Sequence, residues 1–227
     1  RWADALVMTV VRNVMWVAPL GVLGLLEDNL ARGGLEALFA VGRYCLTVIA
    51  ALGIHGAIVL PLIVLVLGRM SPRTWLRGVR PALLVAMSTS SSSATLPVTI
   101  ECCEDELGIP TSVASFVLPL GATMNMDGTA LYEAIAALFV AQVYGIELGL
   151  GEQIVVFVTA MAASVGAAGI PSAGLVTMAM VFEAVGLPLE GIGLILAVDR
   201  FLDMGRTVVN VMGDTAGAVV LSRSHRA

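Results

Sequence analysis

The run Asn125-Met126-Asp127-Gly128-Thr129 lies in the middle of a long apolar stretch, residues 111 to 145. The chain is 58% hydrophobic and 13% charged, with mean hydropathy +0.95. A soluble domain carries about 25% charge, so a polytopic membrane protein is expected. Asp127 is then a carboxylate at membrane depth, which costs roughly 2.5–3.5 kcal/mol on insertion scales unless something offsets it. A helix has to break around such a group, and a bound cation is the simplest compensation.

The same tension recurs along the chain. Ser90-Ser91-Ser92-Ser93 precedes Ala94-Thr95-Leu96-Pro97, Glu133 sits in an apolar run, and a Gly/Ala/Pro-rich stretch runs from Gly166 to Gly174. Asp199, Asp203, Arg206, Asn210 and Asp214 are spaced by four, three, four and four residues, which places them on one helical stripe. Together these features read as an ion-coupled transporter core.

Residues 6 to 26 give a first span of ~21 residues, about 31 Å as helix, matching the bilayer core. Arg12-Asn13 interrupts it near its start, Glu27-Asp28-Asn29 ends it and Gly33-Gly34 turns the chain. Residues 35 to 68 predict a second, longer helix, in which His55 reads as a packed or hydrogen-bonded histidine whose partner cannot be named. The pieces after it are too short to span singly. Residues 74 to 89 and 94 to 101 flank the serine run, and residues 153 to 164 and 174 to 187 flank the Gly-rich run, so each pair predicts a re-entrant hairpin. The expected organisation is two transmembrane helices in residues 1–72 and a core in 73–227. The core holds hairpin one (73–108), a broken helix (109–147), hairpin two (150–187) and a final helix (189–223).

All twelve basic residues are Arg. Arg69, Arg73, Arg77 and Arg80 cluster in one connection, and Arg223 and Arg226 close the chain. Two spans, a hairpin that stays on its side, a broken crossing helix, a second hairpin and a returning helix put both Arg-rich regions on one face, as the positive-inside rule requires. The hairpins then enter from opposite sides, as in an inverted repeat. The fold expected is an all-α membrane bundle with two oppositely oriented re-entrant hairpins and broken helices. Cys45 and the adjacent Cys102-Cys103 have neither metal spacing nor a disulfide framework, and read as packing residues.

Non-helical backbone is tolerated at this depth only where protein or a water-filled cavity covers it, so the breaks are expected to share one site. Ser91 and Ser92 offer hydroxyl and N–H donors to a carboxylate. Asp127 and the Asn125 carbonyl are hard oxygen ligands for an alkali cation. Glu133, in a low-dielectric setting, is suited to carry a proton. Arg206 presents a planar fork that clamps a carboxylate; Asp203 accepts an ammonium, and Asp214 with the Asn210 carbonyl holds a cation. Three acids to one Arg leave negative charge for cations to neutralise.

The segments SSSSATLP, LPLGATMNMDGTALYEA, AASVGAAGIPSAG and LDMGRTVVNVMGD resemble the dicarboxylate/amino acid:cation symporters, closest to the acidic amino-acid branch, over the chain from about Val10. The resemblance implies a homotrimer whose transport domains move like elevators in a plasma or bacterial inner membrane. It implies co-transported Na+ and no organic cofactor. The expected partners are a small acidic amino acid, membrane lipid and further copies of the chain, with no nucleic acid. It also implies that the chain starts at the fifth helix of the family, so that four earlier helices lie upstream.

By the family pattern, Ser91 and Ser92 take the substrate α-carboxylate, Asp203 and Thr207 its amino group, and Arg206 and Thr129 its side-chain carboxylate. Asn210 also contacts it, and the tip Ile170, Pro171 to Gly174 closes as the outer gate. One sodium takes the Gly121, Asn125 and Asn210 carbonyls with Asp214. Another takes Thr123, Met126, Ser164, Val165 and Ala167. A third takes Asn125 and Asp127, with the rest of its shell on the family's third helix. Glu133 matches the proton-carrying acid. The family's additional Arg is missing, since Ser90 and Met204 stand at its two usual positions; this puts potassium coupling in doubt, and Arg200 is the nearest substitute.

Arg206 selects acidic side chains over the neutral amino acids of other branches, and Asp203 selects an amine over a C4-dicarboxylate. An intramembrane aspartyl protease is the rival from another class, because paired membrane aspartates also do acid–base work. Its Gly-x-Gly-Asp signature fails at Val211, two residues before Gly213-Asp214, and His55 and His225 lack a nucleophile motif.

Overall fold

In the computed structural model, residues 39–226 are described continuously, along with isolated helical positions at Thr9, Asn13, Val17, Leu20, Gly21, Leu23, Gly24, Glu27 and Glu36. Apart from those positions, the expected first span over residues 6 to 26 and its Gly33-Gly34 turn lie outside the described residues.

Helix α1, Phe39–Val66, has 28 residues and mean hydropathy 2.5; among the described residues it alone is long and apolar enough to cross a bilayer unaided. Tyr44, Val48 and Leu52, spaced by four, are buried, while Leu46, Ile49 and Ile58 are exposed. At His55–Val59 the helix widens into a π turn just before Pro61. Pro61 has no N–H to donate, and the wide turn shifts the hydrogen-bond ladder around it. Such turns are frequent at functional sites.

Helix α2, Pro72–Thr89, starts with Pro at its first position and ends where Ser90 takes a left-handed conformation, φ 51°. Ser91 is extended, and its hydroxyl caps the next helix, α3 (Ser92–Glu101), by accepting from the Ala94 N–H at 3.1 Å. Two serines therefore reverse the chain without glycine: one adopts the rare αL geometry and the other satisfies an orphan N–H. A π turn, Cys102–Glu106, extends α3.

Helices α4 (Thr111–Met124) and α5 (Asp127–Val143) are separated only by Asn125 and Met126. Helices α6 (Leu150–Val165) and α7 (Ala173–Ala184) flank the second tip. The sequence placed the end of α7 near residue 187. It stops sooner because Gly186 turns at φ 68° and Leu187 N–H returns to the Phe182 carbonyl at 2.9 Å, a left-handed cap. After a 3-10 turn at Leu189–Gly191, α8 runs unbroken through Ile192–Arg226, 35 residues. It is the spine against which α2, α4 and α5 pack.

Around an apolar core that includes Trp75, Leu118, Phe182 and Ile195, the burial pattern departs from that of a soluble protein. Large side chains such as Phe116, Leu150, Phe157, Val176 and Phe201 are exposed, whereas Ser90, Thr95, Glu133, Asp199, Asp203, Arg206 and Asp214 are buried. Polar groups at the centre and apolar groups outside suit a lipid or protein exterior. The seam between α2 and α8 carries one buried polar contact, Trp75 Nε1–H donating to Thr215 Oγ1 at 3.0 Å. Trp75→Phe loses this bond and, because Trp75 is fully buried, leaves a void where the pyrrole ring sat, while the Thr215 hydroxyl still donates to the Met212 carbonyl at 3.0 Å. The expected loss is about 2–3 kcal/mol, the bond and the void together, to be read from thermal unfolding of the detergent-purified protein.

Candidate functional site

The two tips and the α4–α5 break meet against α8. Ser91 Oγ donates to the Gly169 carbonyl at 2.6 Å, and Ser93 N–H reaches the same carbonyl at 3.2 Å. Ser90, Ser92, Met126, Thr129, Ala167 to Ile170, Ala173, Gly174, Asp203, Arg206, Thr207 and Asn210 enclose a cavity of about 10 Å³, barely the space of a water. Of the residues expected to hold substrate, Ser92, Thr129, Ile170, Gly174, Asp203, Arg206, Thr207 and Asn210 line it. Ser91 and Pro171 do not: the Ser91 hydroxyl is engaged by Ala94 and Gly169.

Asn210 is central for a reason the sequence did not reveal. Its Oδ1 accepts from the N–H groups of Gly128 (2.8 Å) and Thr129 (3.3 Å), and its Nδ2 donates to Thr129 Oγ1 at 3.1 Å. The first turn of α5 is thus capped from another helix. The break is therefore confined to Asn125 and Met126, where the sequence suggested one reaching Thr129.

Arg206 is 2% exposed. Its Nη2 lies 2.5 Å from Asp203 Oδ1 and 3.7 Å from Asp199 Oδ1, and its guanidinium sits 4.3 Å from the centre of the Tyr132 ring. Tyr132 in turn donates to Asp199 Oδ1 at 2.7 Å. Two buried carboxylates face one guanidinium, so the cluster carries a spare negative charge. Nη1 has no partner among the described residues. A Cβ on Gly174, in the first turn of α7, would stand 2.5 Å from Nη1 and press on the buried guanidinium. The sequence placed Asp199 on the stripe without a role; the step of four to Asp203 was the signal.

A second cluster lies around Asp214, which is 4% exposed. Asn125 Nδ2 donates to its Oδ1 at 3.0 Å, and among the described residues no Arg or His forms an ion pair with it. A Cβ on Gly121 would sit 2.5 Å from Asp214 Oδ1, and one on Gly213 would sit 3.0 Å from Asp127 Oδ1. Gly121, Asn125, Asp127 and Asp214 are therefore gathered in one place, with two carboxylates and too little positive charge. Asp127 Oδ2 bonds His55 Nε2 at 2.6 Å. His55 is thus a hydrogen-bonded histidine, and the partner the sequence could not name lies 72 residues away in the chain, which no local pattern indicates.

Of the remaining expected sodium ligands, Met126, Ser164 and Ala167 are buried, whereas Thr123 and Val165 are exposed. The Thr123 hydroxyl turns back to the Leu120 carbonyl at 2.9 Å, leaving its main chain as the group to offer. Glu133 is fully buried; the Thr177 hydroxyl donates to its Oε1, while Oε2 has no partner among the described residues. Arg200 is half-buried, with Nη1 unpartnered among the described residues.

The chain is similar in sequence to known transporters. Excitatory amino acid transporter 4 of Rattus norvegicus is 51% identical over 222 residues, covering 95% of this chain and 39% of that protein. Excitatory amino acid transporter 1 of Bos taurus is 50% identical over 224 residues, covering 97% and 41% respectively. An excitatory amino acid transporter of Caenorhabditis elegans is 46% identical over 220 residues, covering 96% and 44%. The chain thus spans about two-fifths of the length of these relatives. Residues 2–224 match the model of the sodium:dicarboxylate symporter family, and the chain belongs to that family of integral membrane transporters.

Proposed function

We propose that this chain forms the transport core of a sodium-coupled symporter for acidic amino acids. The observation that carries the reading is the buried Asp199–Asp203–Arg206 cluster at the meeting point of both tips. Arg206 offers an unpartnered Nη1 to a side-chain carboxylate, and Asp203 takes an α-ammonium. An amino acid bearing a second carboxylate satisfies both; a neutral amino acid leaves Nη1 unpaired, and a plain dicarboxylate leaves the spare negative charge uncompensated. The names of the relatives support the same substrate class.

Sodium supplies the charge that the second cluster lacks. Asp214, with the Gly121, Asn125 and Asn210 carbonyls, holds one ion; Asn125 and Asp127 hold another; Thr123, Met126, Ser164, Val165 and Ala167 give a third its main-chain oxygens. The first ion draws the α4–α5 break onto α8, and the third ties that break to the end of α6, so cation binding shapes the amino-acid pocket. Ser91, Ser92 and Thr207 complete the substrate contacts once the tip Ile170–Gly174 opens. Residues 73–227 move as the carrier within a homotrimer, shuttling the site across a plasma or bacterial inner membrane.

Uptake of radiolabelled aspartate and glutamate by the full-length protein in liposomes tests this. An inward sodium gradient is expected to drive accumulation, and replacing sodium with choline to abolish it; sodium-independent flux, or preference for a neutral amino acid, would overturn the reading. Glu133 carries the proton in this scheme, being buried with one free oxygen. Glu133→Gln keeps the Thr177 contact but holds no exchangeable acid proton, so uptake is expected to become flat across the pH range in which the parent protein varies.

A further inference from the structure

Ser172, at the tip between α6 and α7, makes two contacts that no role assigned above requires. Its backbone N–H donates to Asp203 Oδ2 at 2.8 Å, and its hydroxyl donates to Asp199 Oδ2 at 2.7 Å. It does so with φ 60°, a left-handed conformation that non-glycine residues seldom hold. One residue of the gate therefore bonds both carboxylates of the cluster that Arg206 only partly neutralises.

We propose that Ser172 is a latch that sets substrate affinity: it holds the gate shut on the empty pocket by occupying the carboxylate that an incoming ammonium must take. This rests on the reading of Asp203 as the amine site. Three observations carry it. The latched pocket of about 10 Å³ leaves no room for an amino acid, so the latched and loaded states exclude one another. Both contacts issue from one residue, so displacing its N–H from Asp203 draws its hydroxyl off Asp199. Finally, Ser172 offers neutral donors to the carboxylates, whereas an ammonium brings the full positive charge the cluster lacks and adds direct charge–charge attraction to its hydrogen bonds. The latch therefore yields to substrate while resisting opening in its absence.

The affinity measured for such a carrier is the intrinsic one reduced by the fraction of molecules already unlatched. Weakening the latch then has two effects of opposite appearance: the empty tip loosens and substrate binds more tightly. Ser172→Ala removes only the hydroxyl, since serine and alanine face the same left-handed penalty. Loss of a hydrogen bond to a charged group corresponds to about tenfold. Ser172→Gly removes the hydroxyl but relieves the backbone, so its effect falls between those of the parent and the alanine variant.

The test is hydrogen exchange over residues 166–174, together with calorimetric binding of aspartate at fixed sodium, on the full-length protein in detergent. For Ser172→Ala we expect exchange in the sodium-free, substrate-free protein to quicken about tenfold and the aspartate dissociation constant to fall about tenfold. Unchanged exchange would overturn the latch. Faster exchange with weaker binding would also overturn it, because the hydroxyl would then belong to the loaded state. If the parent protein binds no acidic amino acid, the functional reading fails instead, and the exchange measurement still decides whether Ser172 holds the tip.

Discussion

Arg206→Cys is expected to abolish uptake of acidic amino acids. The guanidinium is buried and bonded to Asp203 through both Nε (3.1 Å) and Nη2 (2.5 Å), with Asp199 alongside at 3.7 Å. Removing it deletes the positively charged donor expected to meet a side-chain carboxylate and leaves two buried carboxylates facing Tyr132 and the tip. Breaking a buried ion pair from one side costs about 3–5 kcal/mol, so a loss of folded protein is a competing explanation for lost uptake. Arg206→Lys separates the two. Lysine keeps the charge and so most of the fold, but it is a point charge without the fork. It cannot serve Asp203 and a substrate carboxylate in one plane. An aspartate affinity lower by roughly ten- to a hundredfold, the equivalent of one charged hydrogen bond, is expected, at near-normal thermal stability. If both variants transport aspartate with parental affinity, Arg206 does not read the side chain, and the acidic specificity assigned to this pocket has to be abandoned.

How much of this was legible beforehand depends on whether the cause was local. The stripe from Asp199 to Asp214 was readable because helical spacing places such residues on one face whatever surrounds them, and α8 does run unbroken through it. The α4–α5 break was readable because Asn125 to Gly128 is poor helix material around a charge that a membrane penalises. Its extent was not: the resumption at Asp127 depends on the Asn210 amide capping Gly128 and Thr129 from 81 or more residues away. The His55–Asp127 contact was hidden for the same reason, its two residues lying 72 positions apart in the chain. The serine run could be read as a tip, but not the division of labour within it. Ser90 bends, Ser91 caps α3 and holds Gly169, and Ser92 lines the cavity. Identical side chains acquire different roles from their backbone angles, and composition carries no record of those.

Asp214→Asn separates the sodium reading from the substrate reading more sharply than any change in the pocket. Asp214 is buried, its hydrogen-bond partner among the described residues is the Asn125 amide, and Gly121 stands so close that even a methyl group there would press on its carboxylate. An uncompensated carboxylate at such a place persists only if something positive visits it. Asparagine has nearly the same shape, and its amide oxygen can still accept from Asn125 Nδ2, so the packing survives. In the sodium-free protein the variant is expected to unfold at the same temperature as the parent or higher, because a buried unpaired charge has been removed. Adding sodium then distinguishes them. A ligand at a hundred times its dissociation constant stabilises the native state by about 2.7 kcal/mol. The parent should gain a melting-temperature increase of that origin, and Asp214→Asn should lose the part due to this ion. Uptake should follow, with half-saturating sodium raised by at least about tenfold, the equivalent of one lost charge interaction, and aspartate binding weakened only through the missing ion. A variant that is less stable without sodium, yet still stabilised by sodium as fully as the parent, would mean that Asp214 is a structural acid and that the cation binds elsewhere.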